Sequence, residues 1–117
     1  MTIKQKRTNQ NEDITRGESR DFKIPIYDQD DELVPTLDIE AAQDIVFRLW
    51  RKPNHVHLEK TLEADMTVED SAIHFTVTQE DTEGLDTGFY QWDVFLDDPF
   101  DKYVITDSQI EILPSSQ

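Results

Sequence analysis

Apolar residues recur at every second position in most of the chain, the spacing of strands with one buried face. The clearest example is residues 88–97. Tyr90, Trp92, Val94 and Leu96 share one face there, and Phe89, Gln91, Asp93, Phe95 and Asp97 share the other. Gly88 suits a turn that needs positive φ before this strand, and Asp97-Asp98-Pro99 suits a turn after it. The first face is fully apolar and packs a core. The second carries two phenylalanines where a solvated face would be polar, and this is the main pointer to function.

The same period organises the rest. Residues 2–8 alternate weakly and predict an edge strand, its lysines discouraging further pairing. Residues 9–18 are polar and turn-like. Residues 20–27 predict a strand with Phe22, Ile24 and Ile26 inward, and Pro25 gives it a free edge or a bulge. An acidic turn at 28–32 leads to an irregular stretch at 33–40 and a short helical turn at 39–43. Residues 44–51 form a clear strand with Ile45, Phe47 and Leu49 inward and Val46, Arg48 and Trp50 outward. After a turn at 52–54, residues 55–62 return with Val56, Leu58 and Leu62 on one face. Residues 66–70 are a turn with a strand fragment. Residues 71–78 place Ile73, Phe75 and Val77 inward, and 79–87 hold one helical turn with Leu85 inward. Two final strands, 102–106 and 109–113, bury Tyr103, Ile105, Ile110 and Ile112. No helical pattern reaches three turns. About seven to eight short antiparallel strands with polar turns predict an all-β sandwich. Residues 1–117 read as a single domain, with 1–15 an N-terminal arm or edge strand and 114–117 a tail.

Composition changes this picture in two ways. Apolar content is 36%, yet the apolar residues are periodic, which argues for a fold despite a net charge of -15. The charge is also uneven: residues 1–24 hold six basic and four acidic side chains, and the remainder holds five basic and twenty-two acidic ones. An acidic body repels phosphates, so nucleic acid and anionic membranes are not expected partners. The basic start could serve as a contact arm for a neighbouring acidic subunit; the plainer reading of the acidity is a solvated surface. There is no cysteine, which excludes disulfides and thiolate metal sites. No apolar run is long enough to span a membrane, and the first residues lack the apolar core of a secretory signal.

A family resemblance rests on several landmarks. Arg16-Gly17-Glu18-Ser19 precedes a Phe-x-Ile-x-Ile strand. Asp44-Ile45-Val46-Phe47-Arg48-Leu49 and Leu58-Glu59-Lys60-Thr61 follow. The most specific part runs from Thr78 through Glu80-Asp81-Thr82, Leu85, Gly88 and Tyr90 to Asp93. Over residues 16–113 this layout resembles the small immunoglobulin-like domains of tailed-phage virion proteins, such as the N-terminal domain of upper baseplate proteins that carry receptor-binding proteins. The resemblance implies an immunoglobulin-like sandwich, a non-enzymatic structural role and no catalytic residues. In those baseplate proteins the domain heads a longer chain with a stalk. Here the sequence stops at Gln117, so a self-standing connector or decoration protein is the expectation.

In such a sandwich the strands at 44–51 and 88–97 are neighbours in one sheet. Val46, Arg48 and Trp50 would then lie beside Phe89, Gln91, Asp93 and Phe95, with Arg48 and Asp93 paired across strands. These residue types are enriched at protein–protein interfaces, and the seven form the expected partner-binding site. The competing reading is that a loop such as 33–43 covers them. His55 and His57 share a face and could join His74 at a metal, but no fourth ligand is legible, and the histidines read as surface residues. The acidic turns at 28–32 and 97–101 lack the glycine and distant glutamate of a calcium loop. There is no Gly-x-Ser-x-Gly elbow and no glycine-rich phosphate loop. No enzyme, no metal and no cofactor are expected. The expected function is that of a bacteriophage virion structural protein, a tail, baseplate or neck connector assembled in the host cytoplasm. Its partners would be other virion structural proteins, with self-association compatible. A capsid decoration protein and a carbohydrate-binding host-attachment module are the alternatives.

Overall fold

The computed structural model describes residues 3–7, 11–51 and 55–115, and among them are nine strands and two short helices. In chain order these are β1 (Lys6–Arg7), β2 (Asn11–Thr15), β3 (Arg20–Pro25), α1 (Thr36–Glu40), β4 (Ile45–Arg51), β5 (His55–Thr61), β6 (Thr67–Glu69), β7 (Ala72–Val77), α2 (Gln79–Glu83), β8 (Gly88–Leu96) and β9 (Lys102–Leu113). One sheet has the order β1-β9-β8-β4-β5, with β2 also on the outer edge of β9; the other has the order β3-β7-β6. Among the described residues no helix is long and apolar enough to cross a membrane.

The two sheets pack face to face because each alternating strand turns its apolar set inward. Phe22 and Phe75, from the small sheet, lie parallel with ring centroids 5.1 Å apart. Phe47 and Trp92, from the large sheet, sit 5.7 Å apart. Across the gap, Phe47 meets Phe75 at 4.7 Å and Trp92 meets Phe22 at 6.0 Å. This four-ring cluster is the centre of the core. Ile45, Leu49, Val94, Leu96, Ile110 and Ile112 extend it along the large sheet, and Ile24, Ile73 and Val77 along the small one.

Local chemistry sets the connections. Asp70 and Ser71 both have positive φ, which makes the two-residue turn that joins β6 to β7. Thr78 caps α2: its hydroxyl accepts from the Asp81 N–H, and the Asp81 carboxylate accepts from the Thr78 N–H. Helix α2 then returns the chain to β8, where the Tyr90 hydroxyl donates to the Asp86 carbonyl at 2.8 Å. Burial pushes the Tyr90 pKa above its ordinary value, so this hydroxyl keeps its proton. Tyr90→Phe should cost about 1–3 kcal/mol, the usual loss when a largely buried hydrogen bond is removed. Urea unfolding with an unchanged slope would measure it, and an unmoved midpoint would show that the bond contributes nothing.

Several expectations need correction. The sandwich is not all antiparallel, since β1 and β2 both run parallel to β9. Residues 11–15, read as turn, form a strand because Ile14 pairs with Ile112 and buries to 3% exposure. Helix α1 starts three residues before the helical turn expected at 39–43, with Ile39 fully buried. The last two strands are one, irregular where Asp107 takes positive φ. Tyr103 is half-buried on the outer face, and Val104 and Ser108 take the buried places instead. A bulge in β5 between the partners of Leu49 and Trp50 turns Val56 outward beside Trp50. Leu58 and Leu62 do pack against the core. The turn at 52–54, and Thr2, Thr8 and the last two residues of the tail, lie outside the described residues.

Candidate functional site

Alternation along β4 and β8 sends the second residue set of each strand away from the core. Their antiparallel register places Val46 opposite Phe95, Arg48 opposite Asp93 and Trp50 opposite Gln91. Strand β5 adds Thr61, Glu59 and Val56 on the far side of these three. Strand β9 adds Tyr103 beside Phe95, Gln109 beside Gln91 and Glu111 beside Phe89. All seven residues expected at the site therefore share the outer face of the large sheet. Tyr103, which the sequence pattern assigned to the core, and Val56, which it set on one face with Leu58 and Leu62, join them.

The polar groups at the centre satisfy one another. Arg48 Nε donates to Asp93 Oδ1 at 3.3 Å, and Trp50 Nε1 donates to Asp93 Oδ2 at 3.2 Å. Arg48 Nη2 donates to the Tyr103 hydroxyl at 2.8 Å. Phe95 meets Tyr103 edge to face at 4.9 Å. Partial burial works against the Arg48 charge, but Asp93 and Tyr103 outweigh it and hold the guanidinium pKa above its ordinary value. The Asp93 side chain is only 13% exposed, against 34% for Arg48. The pair thus presents its cationic half to solvent. Arg48, Trp50, Val56, Asp93 and Tyr103 wall an open concavity of about 250 Å³.

Phe89 stands at one end of this face, 55% exposed. It is held there by Arg51, which donates from Nε to the Phe89 carbonyl at 3.1 Å and from Nη2 to the Thr87 carbonyl at 2.9 Å. The same guanidinium lies 3.9 Å from the centre of the Tyr90 ring. Gly88 makes the arrangement possible. Its φ is 121°, and a Cβ there would come within 2.7 Å of Arg51 Nη2.

The 33–43 loop does not wall the concavity. Val34 and Ile39 are fully buried in the core, and the Gln43 N–H donates to the Asp98 carbonyl. The three histidines do not converge. The His55 and His57 rings are 4.5 Å apart on β5, with His57 edge-on to Tyr90, whereas His74 on β7 contacts the Glu69 carbonyl. The little burial His57 has, with the nearby His55 and Arg51, lowers its pKa. Among the described residues no group of three His, Asp or Glu side chains is placed to hold a metal ion.

Comparison of the chain with protein-family models and with curated proteins gives no match.

Proposed function

We propose that this chain is a non-enzymatic structural protein of a tailed-phage virion, a connector of the tail, baseplate or neck. On this reading it is an immunoglobulin-like sandwich that docks on other virion subunits through the outer face of its large sheet. The observation that carries the docking role is the contrast between that face and the rest of the molecule. The chain has 26 acidic residues and a net charge of -15. Yet the centre of the face combines Val46, Trp50, Val56, Phe95 and Tyr103 with a single Arg48–Asp93 pair. Of the other acids on this face, Glu59 stands opposite Arg48 on the edge strand β5, and Glu111 and Asp13 stand on β9 and β2 toward the other side. An aromatic, charge-compensated centre with a charged rim is the usual anatomy of a protein interface.

Three features support the immunoglobulin-like reading of the sandwich. The orders β9-β8-β4-β5 and β3-β7-β6 match the G-F-C-C′ and B-E-D sheets of variable-type domains. The Tyr90 hydroxyl reaches back to the Asp86 carbonyl at the start of β8, as the tyrosine of such domains does at the same corner. Trp92 stands two residues on, where antibody domains carry their second cysteine. The phage assignment rests on the sequence resemblance alone.

The test is titration of the purified chain against isolated tail, baseplate and head subassemblies. Phe89→Asp and Phe95→Asp should each weaken association at least about tenfold, the scale of one lost anchor. Phe89→Asp should leave stability within about 0.5 kcal/mol, because that ring is largely in solvent. Unchanged association in both variants would overturn the docking face. Binding to the head alone would favour a decoration protein, and binding to a glycan array with no subunit bound would favour host attachment.

A further inference from the structure

We propose that the segment Ile3 to Arg7 is exchanged between two copies of this chain, the arm of each filling the seat of the other. The seat is visible because the chain fills it with its own arm. Ile3 is 2% exposed and belongs to the core cluster, and it bridges to Asp28. The Lys4 N–H donates to the Tyr27 carbonyl at 2.8 Å, and Gln29 Nε2 donates to the Ile3 carbonyl at 3.3 Å. The Lys4 ammonium pairs with the Asp31 carboxylate. Two residues on, Lys6 and Arg7 pair in parallel with Ile105 and Thr106 of β9. The arm therefore docks as an added strand between two elements, anchored by one apolar plug.

Charge identifies what the seat accepts. Asp31, from the acidic turn 28–32, stands at the seat and pairs with Lys4, and the arm carries Lys4, Lys6 and Arg7 with no acid before Glu12. A short basic strand with one buried isoleucine fits this seat, and a second copy of the chain supplies that strand. The seat is also roomier than its occupant. A hollow of about 280 Å³, apolar except for Lys4 and Asp31, lies against Pro25, Ile26, Val104 and Ile105. An incoming strand can thus engage before the resident one leaves. Exchange recreates every contact of the closed chain between two chains, so no new complementary surface is needed. Three residues separate Arg7 from Asn11. Their span is at most about 14 Å when fully extended, so the two copies must meet along the β2 edge. None of this depends on the outer face of the large sheet.

The chain has no cysteine, so single cysteines report this contact cleanly. A Lys4→Cys chain and an Asp31→Cys chain would be mixed at low and high concentration, left to exchange, then oxidised. The expected product is a disulfide-linked heterodimer in excess over both homodimers beyond random pairing, and increasing with concentration. Adding Ile3→Asp to the Lys4→Cys chain should remove that excess. Random pairing, or an excess that survives Ile3→Asp, would overturn the proposal. So would the absence of cross-links while a chain carrying both cysteines still closes its own disulfide.

Discussion

Trp92→Ala is expected to cost about 3–5 kcal/mol of folding stability, the range for removing a large aromatic from a packed core. Trp92 is 7% exposed and touches the central rings of both sheets, Phe22 at 6.0 Å and Phe47 at 5.7 Å. Loss of the indole therefore opens a cavity between layers rather than at a margin. Domains of this size are typically stable by about 5–15 kcal/mol, so the loss is a large share of the total and would bring a domain at the lower end close to half-unfolded in water. The urea midpoint measures this. A second substitution separates packing from polarity. Trp92 Nε1 has no hydrogen-bond partner among the described residues, although it is buried. Trp92→Phe removes that unsatisfied donor while keeping most of the ring, so its cost should be about 1 kcal/mol or less. A small loss for Trp92→Ala would mean that the other face of β8 is the buried one. That result would remove the basis for the docking site, because Phe89, Gln91, Asp93 and Phe95 would then point inward.

The strands that could be read from the sequence are those whose alternation is unbroken. Phe22, Ile24 and Ile26, then Ile45, Phe47 and Leu49, then Tyr90, Trp92, Val94 and Leu96 are all buried as their spacing predicts. What escaped is where alternation fails or was never needed. In β9, Trp92 faces Ser108 and Val94 faces Ile105, so the strand carries an extra residue there. It carries another between the partners of Val94 and Phe95, and Tyr103 leaves the inner set for the outer face. Bulges have no reliable sequence signal, because the backbone absorbs the extra residue. The one available hint was Ser108, a small polar residue at the inward parity of Ile110 and Ile112. Strand β2 escaped for a different reason. It lies on the edge of β9 and needs only Ile14 buried, so a mostly polar sequence suffices. The candidate site was legible through β4 and β8, whose register is regular, and incomplete where Val56 and Tyr103 join past irregularities.

Asp81→Ala is the second large effect, and it comes from a place the apolar pattern does not mark. Lys60 lies on β5, the edge strand of the large sheet, yet it points inward and is 8% exposed. Its ammonium meets Asp81 Oδ2 at 2.6 Å, and the same oxygen accepts from the Thr78 N–H at 2.8 Å. One carboxylate thus neutralises the inward charge of an edge strand and caps α2. An inward charge on an edge strand discourages pairing with another sheet, but the fold tolerates it only while the charge is matched. Removing Asp81 leaves a buried cation and takes the partner from the Thr78 N–H, although the Thr78 hydroxyl still caps the helix, and this should cost about 3–5 kcal/mol. Lys60→Met keeps the stem's volume and removes the cation, leaving the Asp81 carboxylate with its Thr78 bond alone; it should also be destabilising, but by less than Asp81→Ala, because Asp81 is the more exposed partner. The pH dependence gives a second test. Burial alone would raise the Asp81 pKa, but hydrogen bonds from Lys60 and Thr78 outweigh it and hold the carboxyl below its ordinary value. A carboxyl depressed in the folded state stabilises fully above its unfolded value, about 3.9, and loses that contribution as pH falls through the folded one. The stability gap between parent and Asp81→Ala should therefore be flat from about pH 5 to 8 and narrow below about pH 4. The chain has 25 other acidic residues, all common to both proteins, so the difference between the two curves reports Asp81. A gap that stays constant down to low pH would show that the loss is one of packing and not of the ion pair.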